Sequence, residues 1–331
     1  MDKKLQALLL QLKVLRPNAV QFILFAAIHP GSMIALRKEM HKAKTDNPDK
    51  NEVDVIIFSP GGTADDAYRM IRTLRKNFTK VNVIVPFWAK SAATLFSLGA
   101  NTIIMDEFGE FGPLDAQIGK ARDDSPGYDP ESALNDEHSV SIIENRFKMM
   151  YEQMFIRLYE HRTINIPKLE LSEQLIGNLS KFFKPLLSQI DPYKLGDKKR
   201  KLDIGEQYAK RILAQFGSGI DELLSRELVD YLIHGCPDHG YIIDKDIIEK
   251  FVSNVSGSEI FGVEYKNALQ QLSLYLMEES PESEMIGILE EDNIDTAKTD
   301  SSNAETNGHN TNEAFVEDVL KKAEKNKKKV G

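Results

Sequence analysis

Cysteine is almost absent from this chain, with one residue, Cys236, in 331. A single thiol excludes an internal disulfide framework and agrees with a reducing compartment. No Cys/His set has zinc spacing, and no metal or cofactor is expected. Neither a P-loop lysine motif nor a GxGxxG turn is present, which removes two glycine-rich phosphate-binding signatures. Long apolar runs are missing as well. The N-terminal runs "ALLL" and "AVQFILFAAI" are broken by Gln11, Lys13, Arg16 and Pro17, and neither approaches the roughly 20 apolar residues of a membrane-spanning helix. The basic start and leucine run imitate a signal peptide, but no small-residue cleavage site follows at the right distance. The expectation is a cytoplasmic protein, with a peripheral membrane contact through the amphipathic start as the lesser reading.

Positive charge is also in deficit. The formal charge is -9, which argues against a nucleic-acid surface, because such surfaces neutralise phosphates with Lys and Arg. The basic runs "DKKRK" (197–201) and "KKAEKNKKK" (321–329) are local, and read as solvated helix ends and a solubilising tail.

What remains is ordinary globular composition, 41% hydrophobic and 28% charged, enough for one large α/β domain. Residues 3–16 read as a helix, 19–28 as a buried strand and 32–45 as a helix. Strands follow at 53–59, 81–87 and 101–105, separated by the helical stretches "TADDAYRMIRTLRKNF" and "SAATLFSLGA". Continuously apolar strands alternating with helices predict a parallel sheet covered on both faces. From about 120 to 217 the chain turns long, charged and helical in period, which reads as a helical insertion. Compact segments return over 218–252, and a helix is expected over 258–279. Residues 280–331 are rich in Glu, Asp, Ser, Thr and Asn and are expected to be disordered, with one short amphipathic stretch, "NEAFVEDVLKKAEKN".

Three pieces fall at strand C-termini of this sheet, where open α/β folds place their sites. The first is Ser59-Pro60-Gly61-Gly62, whose glycines permit unusual backbone angles and expose N–H groups at a helix start. The second is Ser91 at the next strand-to-helix corner, with the N–H of Ala92 directed at the same spot. The third is "FGEFGPLDAQIG" (108–119), carrying Asp115 and Gln117. Each piece has a plainer reading: a serine there caps a helix, and "PGG" is a turn. Their order is the specific signal.

The stretches "IIFSPGGTADDAYRMIRTL" and "VIVPFWAKSAATLFSLGANTIIMDEFGEFGPLDAQIG" resemble the serine dehydrogenase proteinase family, which is related to the Clp peptidases and signal-peptide peptidase A. The later "HGCPDHGYIIDKDIIEK" resembles that family's closing segment. The resemblance implies a ClpP/crotonase-like parallel-sheet spiral over residues 1–255, interrupted by the helical insertion. It implies an ATP-independent serine peptidase acting on peptides or unfolded polypeptide, and a homo-oligomer. Ser91 is then the nucleophile, and Gly61 or Gly62 together with Ala92 are the oxyanion donors. A Ser hydroxyl needs a partner to take its proton, and no histidine lies between Ser91 and His138. The candidates are His239, oriented by Asp115 or Asp238, and Lys120 in a Ser-Lys dyad. Lys90 is discounted, because adjacent side chains usually diverge. His29 reads as a surface-loop residue, and Phe87 and Trp88 as part of a groove wall. Two rivals stand: a non-catalytic peptide-binding or scaffold protein of the same fold, and a crotonase-type thioester enzyme that needs no serine at that corner.

Overall fold

The computed structural model describes residues 2–114, 117–121, 128–161, 163, 165–217, 220–238, 240–279, 281 and 284–289, with 117–121 and 128–138 described by backbone alone. The chain divides into two compact units, residues 1–114 with 206–331, and residues 115–205.

The first unit begins with α1 (Lys3–Leu15), β1 (Ala19–Phe25), α2 (Pro30–Asp46) and β2 (Glu52–Ile57). It continues through α3 (Ala64–Asn77), β3 (Lys80–Val85), the two-residue β4 (Trp88–Ala89), α4 (Ala92–Ser97), β5 (Thr102–Met105) and the short β6 (Glu110–Phe111). β1, β2, β3 and β5 pair in parallel in that order, with Val20 beside Val53, Val53 beside Val81 and Val83 beside Ile103. These strands are buried almost throughout, which is why they read as continuous apolar runs rather than as an alternation. α1 and a late helix cover one face: Leu5, Leu8, Leu9 and Leu12 join Ile23, Ile56, Ile84 and Ile104 in one core cluster with Leu269, Leu272 and Leu276.

The second unit contains the antiparallel pair β7 (Gln117–Ala121) and β8 (Tyr128–Ser132), then α5 (Ala133–Tyr159), α6 (Lys168–Leu187) and the first part of α7 (Pro192–Phe216). α6 buries Leu171, Leu175, Leu179 and Phe183 at four-residue spacing, one stripe of a helix at its natural period. Phe183 meets Phe147 of α5 edge-on at 5.6 Å, and Tyr151 and Ser172 share a 2.8 Å hydrogen bond.

The later part of α7 belongs to the first unit, where Tyr208 lies 5.3 Å from the ring of Tyr68 on α3. Then follow α8 (Glu222–Asp230), a π-helical turn at Tyr231–Gly235, α9 (Lys245–Ile248), β9 (Val255–Ser256), a 3-10 turn at Ser258–Phe261, α10 (Val263–Glu278) and β10 (Met285–Ile288). β9 extends the sheet in parallel beyond β5. β10 adds to the opposite edge, antiparallel to β1. That last strand lies inside the stretch expected to be disordered. Its four residues, Met-Ile-Gly-Ile, suffice because the edge of β1 offers unpaired backbone groups, and Lys13 Nζ donates to Leu289 O at 2.6 Å just beyond it. β7 continues from the Gly-Pro segment, and β8 falls within the opening residues of the stretch read as a helical insertion. No helix among the described residues is long and apolar enough to cross a membrane.

A polar network spans the start of the parallel strands. Asp54 is fully buried and accepts from Arg16 Nε (2.9 Å), Arg16 Nη2 (3.1 Å), Gln21 Nε2 (2.6 Å) and Asn82 Nδ2 (2.6 Å). Arg16 also reaches Glu52 at 2.6 Å, and its guanidinium stands 3.9 Å from the Phe261 ring centroid. Arg16 lies just after α1 and Phe261 just before α10, so one side chain ties β2 to the ends of both helices that cover the sheet.

Candidate active site

Beyond the parallel sheet the backbone makes a second, smaller ladder. Ser59, just past β2, bridges in parallel to Ala89 of β4; Ala89 pairs with Phe111 of β6; Phe111 bridges antiparallel to Ile243. Ser59 N–H donates to Trp88 O at 3.1 Å and Lys90 N–H donates to Ser59 O at 2.9 Å. Phe111 and Ile243 exchange hydrogen bonds of 2.8 and 3.1 Å. This ladder sets the glycine turn, the serine corner, the Gly-Pro segment and the closing segment side by side.

The serine corner is sharp. Ser91 stands at the N-cap of α4 with φ 50° and ψ -116°, and it is the one non-glycine residue at positive φ among those described. Its side chain makes no capping hydrogen bond, so the helix-cap reading does not account for it. Residues with a Cβ avoid this region, and where one persists the surroundings hold it there. Lys90, before the corner, is buried at 8% exposure, with Nζ 2.7 Å from Glu110 Oε1 and 3.3 Å from Phe111 O. Thr94, after it, has Oγ1 2.9 Å from Ala89 O and 2.8 Å from Gly112 O, and accepts from Gly112 N–H at 3.2 Å.

The glycine pair lies against that corner. Gly61 has φ +96°, and a Cβ built on it would sit 2.5 Å from Lys90 O, 2.8 Å from Ser91 Cβ and 2.9 Å from Ala92 N. Only a glycine lets the two backbones approach so closely. Gly61 N–H is engaged, donating to Ser59 Oγ at 3.1 Å, and Gly61 O accepts from Ile28 N–H at 2.7 Å. Among the described residues, no acceptor is recorded for the N–H of Gly62 or of Ala92. Of the two glycines expected as donors, Gly61 is therefore the one whose N–H is already engaged.

Gly62 has φ +146°, and a Cβ on it would lie 2.0 Å from Ile28 O. That oxygen already accepts from Thr63 N–H at 2.9 Å. Gly62→Ala is expected to cost about 2–4 kcal/mol, combining overpacking against backbone with left-handed strain. Gly177→Ala is the control. Gly177 sits inside α6 with nothing within 4 Å of an added Cβ, so this change should stabilise by about 0.5–1 kcal/mol. Thermal unfolding of both variants checks the contrast.

The remaining candidates divide. Asp115 and His239 lie outside the described residues, and Lys120 belongs to β7, described by backbone alone. Asp238 is exposed, in a turn closed by Tyr241 N–H donating to Asp238 O at 3.3 Å. His234 is exposed in the π-helical turn, and His161 is exposed with Nδ1 2.9 Å from Thr163 Oγ1. His29 caps α2, accepting at Nδ1 from Gly31 N–H at 3.0 Å. Phe87 and Trp88 are partly buried and pack on the core: Phe58 stacks on Phe87 at 6.2 Å and meets Trp88 edge-on at 5.1 Å. Sequence reasoning missed the buried Lys90–Glu110 pair, whose partners are twenty positions apart with no local pattern linking them. Among the described residues, no group of three or more His, Cys, Asp or Glu side chains is placed to hold a metal ion.

Two uncharacterized proteins of Methanocaldococcus jannaschii are similar to this chain, one 37% and the other 36% identical over 83 residues. The match covers 25% of this chain and 29% and 28% of theirs, so it spans less than a third of either relative. Among solved structures, a serine-to-alanine mutant of the 1510-N membrane-bound stomatin-specific protease aligns over 72% of this chain and 80% of its own, at 13% identity and a TM-score of 0.38. A lysine-to-alanine mutant of that protease, in complex with a substrate peptide, aligns over 72% and 75% at 12% identity and the same TM-score. The ClpP-like SDH-type serine proteinase family matches residues 21–126. That stretch runs from β1 through the glycine pair and the serine corner to β7, and over it the chain is similar to that family.

Proposed function

We propose that this protein is an ATP-independent serine peptidase with Ser91 as nucleophile and the N–H groups of Gly62 and Ala92 as oxyanion donors. The observation that carries the reading is the corner itself. A serine at φ 50°, with no capping hydrogen bond, is packed against a glycine turn whose next N–H has no acceptor recorded among the described residues. A helix cap needs neither the strain nor the glycine. A nucleophile presented at a strand-to-helix corner uses both, because its hydroxyl stands clear of the backbone and the developing oxyanion meets fixed donors.

The chemistry follows acyl transfer. Ser91 Oγ bonds to the scissile carbonyl carbon as the base takes its proton, and the carbonyl oxygen becomes the oxyanion between the two N–H groups. Collapse breaks the C–N bond, with the base returning the proton to the leaving amine. Water then repeats the sequence on the acyl-enzyme and releases the carboxylate. His239 is the base in this reading, oriented by Asp115 or Asp238. Its support is the Phe111–Ile243 pairing, which anchors the closing segment beside β6 four residues after His239. Four residues of chain reach about 14 Å at most, and Phe111 is itself paired with Ala89, two residues before Ser91. Lys120 is the rival.

Hydrolysis of a fluorescently labelled unstructured polypeptide, without nucleotide, tests the function. The pH profiles of His239→Ala and Lys120→Ala then assign the base. A histidine base gives activity that falls as pH drops through about 6.5, and only His239→Ala removes that limb. If the full chain turns over no polypeptide at any pH where it is folded, the peptidase reading fails.

A further inference from the structure

A backbone conformation that side-chain-bearing residues avoid persists only where its surroundings over-determine it, and at Ser91 two residues that flank it in sequence do so. Lys90 and Thr94 both grip β6 and the glycine that follows it, Gly112. Lys90 Nζ binds Glu110 Oε1 at 2.7 Å and donates to Phe111 O at 3.3 Å, while Thr94 Oγ1 bonds both the N–H and the carbonyl of Gly112. The stem of Lys90 passes directly over Gly112, where a Cβ would lie 2.6 Å from Lys90 Cδ. Both ends of the ion pair are largely withdrawn from water, with side chains 10% and 16% exposed. Lysine is seldom buried unless paired, and a simple strand-to-helix turn requires no buried lysine.

We propose that Lys90 is the positioning residue of Ser91: its ion pair with Glu110, working with Thr94, holds the corner at the angle that presents Oγ to substrate. The catalytic half of this inference rests on Ser91 being the nucleophile. The mechanical half does not, and it is measured separately.

The mechanical half is read from Ser91→Gly. Glycine adopts positive φ without a steric cost, so the substitution should raise the melting midpoint of the full chain by about 2–4 °C. If Lys90 holds the corner, that gain shrinks below about 1 °C in a Lys90→Met or Glu110→Gln background, where the corner is free to relax. No gain in the parent chain, or a gain of equal size in both backgrounds, overturns the clamp. The catalytic half is read from the rate of inactivation by a fluorophosphonate. Lys90→Met should slow it at least about tenfold without changing the saturating probe concentration, and Lys90→Arg, which keeps the ion pair, should recover much of it. Lys90→Met reacting at the parent rate overturns the positioning role. Should Lys90→Met fail to fold, Glu110→Gln decides the same question. No reaction in the parent chain sinks the nucleophile reading, and the Ser91→Gly comparison still judges the clamp.

Discussion

Ser91→Ala is expected to reduce polypeptide hydrolysis at least about 10³-fold while leaving the fold and its stability nearly unchanged. The size follows from the role: without Oγ there is no acyl-enzyme, and the oxyanion donors retain only a residual effect on direct attack by water. The small stability change follows from the geometry. Alanine also carries a Cβ, so it inherits the strain at φ 50°, and Ser91 Oγ contributes no capping hydrogen bond that would be lost. Activity and stability should therefore separate at this position. A purely structural serine would show the reverse, with stability lowered by about 0.5–2 kcal/mol as for a lost helix cap and activity little changed.

The second large effect lies at the other end of the parallel strands. Arg16→Ala is expected to cost about 3–5 kcal/mol, because it strands the carboxylate of Asp54, which is fully buried, with only the neutral donors Gln21 and Asn82. The loss also strips the guanidinium from the Phe261 ring. Burial alone would lower the Arg16 pKa, but the hydrogen bonds and charges of Asp54 and Glu52 outweigh it and hold it above its ordinary value. Pairing Arg16→Met with Asp54→Asn should cost less than the sum of the single changes, since no buried charge is then unmatched. Glu52 adds a pH dependence. Burial pushes its carboxyl up, yet hydrogen bonds from Asn82, Lys80 and Arg16 together bring its pKa below the ordinary value. A carboxyl depressed in the folded state contributes stability above the unfolded pKa, near 4.3, and that contribution is lost as pH falls below it. Denaturant titration of the variants across pH 3–7 (an approximate window set by that value) measures both effects.

The parallel strands were legible because burial on both faces leaves an unbroken apolar run, as in "VDVIIF" of β2 and "VNVIV" of β3. Short strands were not. β4 and β6 have two residues each, and β10 has four, too few for any period to emerge. Their pairing is decided by which backbone edge lies free nearby. The position of Ser91 could be read from its place between strand and helix, but its φ could not, since nothing in "AKSAAT" marks a strained residue as a glycine would. Lys90 stood beside it in plain view and was set aside as a base. Its ion pair with Glu110 depends on β4 lying next to β6, a matter of register that spacing along the chain does not report.

The central claim is that Ser91 is an activated nucleophile. The most direct measurement is reaction of the folded full chain with a fluorophosphonate, followed by intact mass and peptide mapping. Attack by Oγ on phosphorus expels fluoride and leaves one phosphonyl group per chain. The account predicts a single adduct mapping to Ser91 and absent from Ser91→Ala. A folded chain that takes up no adduct from neutral to alkaline pH, or takes it up equally in Ser91→Ala, would contradict it.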